Sequence, residues 1–256
     1  MIHGISDNRR LFPFIAHDRS MKNPWNDIMQ DAARGEKGEY YIEREDGRVD
    51  THIVSDYTQL LLEWSEPERL GIQHASGKVL DIGCGAGRVA LYLQSLGCSV
   101  VGIDLAPGAI NACIAQGLEH AHVMAATELE FPDGMFDTII LYGNNFGVPG
   151  EEQNIISMLQ RLHQITKPDG IIIAGSSDVQ LTDDQSNLMY QRKNLERGRP
   201  RGLVKLRVKY KDIVGDWVEL RLASPEEMKN IAEKVGWKLS RVYQRGASYV
   251  GILTKR

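Results

Sequence analysis

The chain has 256 residues, 42% of them hydrophobic and 25% charged, a mixture that suits one α/β domain with an appended segment. Its formal net charge of −4 gives no overall attraction to nucleic acid or an anionic membrane, and no apolar run approaches the roughly 18 residues of a membrane span. The N-terminus lacks an apolar stretch behind a basic start, and the three cysteines show no C-x-x-C spacing. We therefore expect a cytoplasmic protein with reduced thiols, without a signal peptide or a metal site.

The N-terminal part of the chain shows little periodicity. Residues 1–55 are assigned no regular elements and are interpreted as an N-terminal cap segment, followed by one domain over residues 56–256. Residues 56–70 are predicted to form a helix, with Leu60, Leu61, Leu62 and Trp64 on its apolar side.

From Lys78 onwards, short apolar strands alternate with helices. The predicted elements are the strand 79–82, the helix 88–96, the strand 99–103, the helix 107–116, the strands 122–125 and 136–141, the helix 151–165, a turn at 168–170 and the strand 171–174. This alternation indicates parallel βαβ units, whose right-handed crossovers place helices on both faces of one sheet. The fold class predicted is a doubly wound α/β sheet.

The last quarter of the chain has a different pattern. Residues 203–210 and 217–222 alternate around a turn and predict a β-hairpin, which belongs to a cap inserted at residues 176–222. Ser224-Pro225-Glu226-Glu227 predicts a helix start, since serine caps the helix and proline suits its first position. Two final strands, 238–243 and 249–254, are expected to be joined across Gly246.

The most informative segment is a glycine-rich turn after the first predicted strand. Gly83, Gly85 and Gly87 let the backbone approach a ligand closely, and the following helix N-terminus favours anionic groups. Asp104 follows Gly83 by 21 residues at the end of the next strand, where a carboxylate can accept hydrogen bonds from ribose hydroxyls. These features predict a nucleoside-containing cofactor at the carboxyl ends of the strands.

The spacing of the glycines bears on which cofactor is bound. A dinucleotide-binding turn has the form G-x-G-x-x-G, whereas here the third glycine comes one position earlier. Asp81 precedes the first glycine by two residues, and a carboxylate there suits the ammonium of a methionine moiety better than a pyrophosphate. A nicotinamide-dependent dehydrogenase stays open as an alternative.

The ordered runs LDIGCGAGR, GIDLAP, FPDGMFDTIIL and LHQITKPDGIIIAGSSD resemble the motifs of class I S-adenosylmethionine-dependent methyltransferases over about residues 76–177. The resemblance implies a Rossmann-like, mostly parallel seven-stranded sheet with an antiparallel final strand. It also implies S-adenosyl-L-methionine as cofactor, with S-adenosyl-L-homocysteine as product. The expected reaction is direct in-line displacement at the sulfonium methyl, in which the protein mainly aligns the reactants and excludes water.

The resemblance also implies roles for individual residues. Asp81 would lie near the methionine ammonium, the glycine turn along the methionine side, and Asp104 against the ribose. The residues expected to contact the cofactor are Asp81, Gly83, Cys84, Gly85, Gly87, Asp104, Leu105, Ala126, Thr127, Leu129, Tyr142 and Gly143. Ala125 departs from the family pattern, which often has an aspartate there for the adenine amino group, so Thr127, Glu128 or water would replace it.

The loop after the fourth predicted strand is expected to face the transferred methyl group in this fold. Tyr142, Asn144 and Asn145 are the substrate-facing candidates, although asparagines in such a loop can equally satisfy turn backbone. The loop lacks the N/D-P-P-Y/F form of enzymes that methylate nucleobase amines, which weighs against such acceptors. No general base can be named.

A basic segment carries the main functional ambiguity. Residues 191–211 hold nine basic residues and one acid, Glu196, for a local net charge of +8. It could bind an anionic small molecule or RNA, or it could be a solvated hairpin face compensated by acids elsewhere. We expect a small-molecule acceptor, possibly anionic, with no membrane partner. An RNA or protein methyltransferase and a non-catalytic cofactor-binding protein remain alternatives, and the sequence does not indicate the oligomeric state.

Overall fold

A computed structural model describes residues 23–256, which form seven helices and two sheets. Before the glycine turn the elements are α1 (Pro24–Ala33), β1 (Glu39–Arg44), β2 (Val49–Ile53), α2 (Glu66–Gly71) and β3 (Lys78–Ile82). After it come α3 (Arg88–Ser95), β4 (Ser99–Asp104), α4 (Pro107–Ala115), β5 (Ala121–Val123), β6 (Phe136–Leu141), α5 (Glu152–Ile165) and β7 (Thr166–Ser177). The rest comprises α6 (Gln185–Glu196), β8 (Leu203–Tyr210), β9 (Ile213–Val214), β10 (Val218–Arg221), α7 (Pro225–Glu233), β11 (Trp237–Arg245) and β12 (Ser248–Lys255).

The larger sheet has seven strands in the order β11-β12-β7-β6-β3-β4-β5. Strands β7, β6, β3, β4 and β5 pair in parallel, whereas β12 is antiparallel to both of its neighbours. This arrangement confirms the predicted Rossmann-like, seven-stranded, mostly parallel sheet with an antiparallel final strand.

Successive residues along a strand point to opposite faces of the sheet, and both faces are buried. Leu80 and Ile139 pack in one cluster with apolar residues of α5 and α7. Val79 and Ile140 pack in a second cluster with residues of α3 and α4. The sheet is therefore doubly wound, and the carboxyl ends of its strands are left open between the two helix layers.

The second sheet unites two distant parts of the chain. Its order is β10-β8-β1-β2, with β9 paired to β8, and all of its pairs are antiparallel. The predicted hairpin is thus present, but it pairs with strands from the segment that was assigned no regular structure. Helix α1 of that segment packs on α4, where Asn26 accepts a hydrogen bond from the Gly108 amide at 2.8 Å. The first 22 residues of the predicted N-terminal cap lie outside the described residues.

The predicted helix over residues 56–70 is wrong. The structure has two short 3-10 turns, Val54–Thr58 and Leu61–Glu63, and a helix only from Glu66. Three consecutive leucines cannot share one face of a helix. Accordingly, Leu60 and Leu62 are 75% and 84% exposed, while Trp64 is buried. The helix begins at a capping box in which Ser65 and Glu68 each accept a hydrogen bond from the other's amide.

Two smaller differences concern the later elements. Residues 168–170 interrupt the pairing of β7 rather than precede the strand, since Phe136 pairs with Thr166 and Thr138 already pairs with Ile171. Helix α6 was not predicted. Within the described residues, no helix has both the length and the apolar character needed to cross a membrane.

Candidate cofactor and substrate site

The glycine turn between β3 and α3 requires backbone conformations that other residues rarely adopt. Gly83, Gly85 and Gly87 have φ values of +70°, +57° and +90°. A Cβ at Gly83 would collide with the side-chain amide of Asn145. The turn therefore presents bare backbone at the carboxyl end of the central strand.

Asp104 ties this turn to the end of the neighbouring strand. Its carboxylate accepts hydrogen bonds from the amides of Gly85 at 3.1 Å and Ala106 at 2.9 Å. Burial raises the pKa of Asp104, and the backbone bonds oppose that rise. Each carboxylate oxygen has a second lone pair. The carboxylate can hence accept hydroxyl hydrogen bonds while holding the turn.

Asp81 is the second carboxylate at these strand ends, and it is buried. It is 3% exposed, and its Oδ2 atom has no hydrogen-bond partner among the described residues. Burial raises the pKa of Asp81 to about 7, Arg88 lowers it, and Asp104 raises it further. A buried carboxylate oxygen without a donor is costly, and an ammonium group would supply that donor. Asp81, the exposed backbone of the glycine turn and Asp104 thus fit a nucleoside that carries a free amino-acid group.

Two residues that precede the large sheet in the chain cover the glycine turn. A Cβ at Gly85 would lie 3.3 Å from Met29 Sδ and 3.6 Å from Tyr57 Cδ1. The Tyr57 hydroxyl lies 2.9 Å from that of Tyr40, and Trp25 packs edge-on against both rings. Neither Met29 nor Tyr57 was anticipated, because no motif marks them and their placement depends on α1 packing against α4.

The side chain of Cys84 lies beneath the glycine turn. Its Sγ is 3.7 Å from that of Cys113, both thiols are buried, and Cys113 donates to the Gly85 carbonyl. The hydrogen bond with Cys113, followed by burial, raises the pKa of Cys84, which keeps the thiol protonated. Only the backbone of Cys84 is left to meet a ligand.

The loop after β6 uses most of its polar groups structurally. Tyr142 is 4% exposed, and its hydroxyl donates to the Glu68 carbonyl at 2.8 Å, so its expected role as a substrate-facing hydroxyl is not supported. Asn145 donates to the carbonyls of Ile82 at 2.8 Å and Gly83 at 3.2 Å. Asn144 accepts from Ser177, and Gly143 is exposed. Asn144 and Gly143 thus stay available at the mouth of the site.

We expect Asn145→Ala to destabilise the fold by about 1–2 kcal/mol, because the Ile82 and Gly83 carbonyls lose their donor. Chemical denaturation would measure the change. Asn154→Ala is the control, since the exposed Asn154 amide donates one surface hydrogen bond to Pro149. Equal stability of the two variants would contradict the bracing role of Asn145.

The residues expected near the adenine are spread over two environments. Leu105 is 48% exposed beside Asp104, Ala126 is half-buried and Thr127 is exposed. Leu129 instead packs in the core beside α5, and its carbonyl accepts a hydrogen bond from Arg161. Its expected contact with the adenine face is therefore not supported by its position.

Four of the nine basic residues in the basic segment are paired with acids from other elements. Arg207 and Lys209 contact Glu43 at 2.6 and 2.7 Å and lower its pKa to about 2. Lys211 contacts Asp31, and Arg199 pairs with glutamates of β10 and the β1–β2 turn. The structure therefore favours the compensated hairpin face over a free anion-binding strip.

Comparison with known proteins agrees with this geometry. Residues 79–170 match a family described as a methyltransferase domain. An uncharacterized methyltransferase of Synechocystis is 34% identical over 96 residues, covering 37% of this chain and 44% of the relative. A ubiquinone/menaquinone biosynthesis C-methyltransferase of Citrifermentans bemidjiense is 30% identical over 119 residues, covering 41% and 47%. The chain thus spans less than half the length of these curated relatives.

A solved structure resembles nearly the whole chain. It is a methyltransferase from Bacteroides fragilis in complex with S-adenosyl-L-homocysteine, with a TM-score of 0.77 and 25% identity. The alignment covers 91% of this chain and 95% of that one, so it includes more than the sheet of the matched domain.

Proposed function

We propose that the chain is a class I S-adenosylmethionine-dependent methyltransferase, which binds S-adenosylmethionine at the glycine turn and methylates a small-molecule acceptor. The observation that carries the proposal is the pair of carboxylates, the buried Asp81 and the half-buried Asp104, at the ends of adjacent strands on either side of that turn.

Each carboxylate suits one end of the ligand. Asp104 would accept hydrogen bonds from the ribose hydroxyls, and Asp81 would neutralise the amino-acid ammonium. Gly83, Gly85 and the Cys84 backbone would lie along the chain between them. Met29 and Tyr57 would exclude water from this side of the turn. The bound sulfonium supplies an activated methyl group, so the protein's own contribution is orientation and exclusion of solvent.

Calorimetry tests the proposal directly. S-adenosylhomocysteine should bind saturably, and a tenfold excess of NAD should leave that binding unchanged. If the protein is an enzyme, it should also convert S-adenosylmethionine to S-adenosylhomocysteine when a metabolite extract supplies the methyl acceptor. Binding of NAD in place of the homocysteine nucleoside would contradict the proposal, and binding without turnover would favour a non-catalytic binding protein.

Cofactor binding should release a fraction of a proton near pH 7. The pKa of Asp81 is about 7 in the free protein, and a nearby ammonium favours the carboxylate, which lowers that pKa on binding. The affinity for S-adenosylhomocysteine should therefore rise as the pH increases from about 6 to 7. Titrations at one pH in phosphate and Tris would reveal the proton through different binding enthalpies. Asp81→Asn should abolish the buffer dependence; if it persists unchanged, another group titrates.

The pairing of the basic segment favours a small-molecule acceptor over RNA. With Arg199, Arg207, Lys209 and Lys211 held by carboxylates, a phosphate backbone would have to displace several ion pairs. Retention on RNA that weakens steeply with salt would support the RNA alternative instead.

A further inference from the structure

The second sheet has two chemically different faces. The face called inner here carries Tyr40, Val208 and Tyr210, which pack in one cluster with Met29 and Ala86 of the cofactor site. The opposite, outer face carries the Glu43, Arg207 and Lys209 cluster. The inner face therefore looks toward the carboxyl ends of the large sheet, and the paired charges of β8 point away from them.

Two helices cover the ends of the inner face. Helix α1 covers the end with Tyr210, whose hydroxyl donates to Asp31 at 2.7 Å. Helix α6 meets the other end, where Arg44 donates to Asn187 at 2.7 Å and to Ser186 at 3.0 Å. Arg44 and Asp50 are the two charged side chains among the inner-face strand positions, and each is paired, with Asp46 and Arg48.

An aliphatic patch lies between these covered ends. It consists of Leu206, Val218 and Leu220, with Ile42 at its border. Val218 is 52% exposed, Leu206 and Leu220 are half-buried, and these three residues belong to none of the buried clusters described above. Within the part of the chain that the structure describes, an apolar surface thus stays uncovered on the side of the sheet that faces the site.

This patch adjoins the loop that holds the glycine turn. Strand β10 rests on that loop, with Gly147 against the Arg221 carbonyl and Gly150 against the Glu219 backbone. Asn145 of the same loop is bonded to Gly83. Strand β10, which carries Val218 and Leu220, therefore contacts the loop whose Asn145 side chain is bonded to the glycine turn.

We propose that the patch of Leu206, Val218 and Leu220 binds the body of the methyl acceptor, and that this body is uncharged and apolar, either aromatic or aliphatic. This inference rests on the proposed methyltransferase function. Covering aliphatic side chains with an apolar molecule is favourable, whereas an anion there would lose its hydration without gaining a counter-charge. An uncharged, apolar acceptor therefore replaces the anionic acceptor expected from the sequence as the preferred substrate class.

Two matched valine variants test the placement. Val218 on the inner face is 52% exposed, and Val49 on the outer face of the same sheet is 50% exposed. The probe is Nile red, a neutral apolar dye, titrated into protein saturated with S-adenosylhomocysteine. Val218→Asp should weaken dye binding by about tenfold or more, whereas Val49→Asp should leave it unchanged. Because both sites are half exposed, neither change should prevent folding, which the unfolding midpoints would verify.

Competition tests the substrate class. Neutral 2-naphthol should displace the dye from the wild-type protein, and 2-naphthyl phosphate should do so at least tenfold less well. Absent dye binding, equal effects of the two valine variants, or stronger competition by the phosphate would overturn the proposal. Affinity for S-adenosylhomocysteine is measured separately in each variant. If the wild-type protein does not bind S-adenosylhomocysteine, the proposed function is contradicted. If it binds S-adenosylhomocysteine but the dye experiments give one of the contradicting outcomes, only the acceptor proposal is overturned.

Discussion

Asp104→Ala is expected to weaken S-adenosylhomocysteine binding by about 1–3 kcal/mol, on the order of 5- to 150-fold. The variant loses the acceptor proposed for the ribose hydroxyls and releases the Gly85 and Ala106 amides that the carboxylate now holds. The turn would lose its preferred shape as well as its ligand contact. This double role places the expected effect at the upper end of the range for a single hydrogen-bonding group.

Calorimetry on three variants separates these contributions. Asp104→Asn keeps one oxygen for the backbone amides but loses the charge, so its fold should be less affected while its affinity stays below that of the wild type. Asp212→Ala removes an exposed carboxylate from the turn between β8 and β9 and should change nothing. Wild-type affinity in a correctly folded Asp104→Ala protein would exclude this residue from the cofactor site.

Gly147→Ala should destabilise the protein by about 1–3 kcal/mol or more and loosen the contact between β10 and the loop after β6. A Cβ at this position would be driven into the Arg221 carbonyl oxygen and would lie 2.7 Å from its carbonyl carbon. The neighbour is backbone of a paired strand, so it cannot rotate away as a flexible side chain would. This clash can be relieved only if the second sheet shifts away from the seven-stranded sheet.

Gly175→Ala is the matched control. Gly175 is also buried, but a Cβ there would meet its nearest neighbours, in Tyr142, at 3.6 Å, an ordinary contact. Denaturant unfolding of both variants should show a clear loss for Gly147→Ala and a small change for Gly175→Ala. Equal stability would mean that β10 can move away from the loop at little cost.

Local patterns were sufficient to predict the parallel strands of the large sheet, whereas its full set of seven strands was implied by the family resemblance. Strands such as Phe136–Leu141 are short, mostly apolar and bounded by turns, so their identity depends little on the rest of the chain. The helix predicted over residues 56–70 was wrong because the local helical preference of these residues differs from the conformation that their packing in the fold requires. The leucines at 60–62 suggested a helix, but only Leu61 and Trp64 face the core and the backbone follows them in 3-10 turns.

The second sheet could not be inferred from local sequence. Strand β1 has alternating residues of mixed character, and its partner β8 lies about two-thirds of the chain away, so nothing near Glu39–Arg44 marks the pairing. The site shows the same limit. Asp81, the glycines and Asp104 are recognisable by spacing. Met29 instead reaches Gly85 through the packing of α1 on α4, and Tyr57 reaches it from the 3-10 turn Val54–Thr58, which contacts α1.

The pairing of β1 with β8 joins residues 164 positions apart, as in the contact between Glu43 and Arg207. A nascent chain cannot form that pairing until β8 has left the ribosome, long after β1, α3 and β4 have emerged. Closing so long a loop has a high entropic cost, which favours prior formation of the parallel sheet that brings the two segments together. The second sheet should accordingly assemble only after the parallel strands β3 to β7 have paired, and it should be among the first parts to open on unfolding.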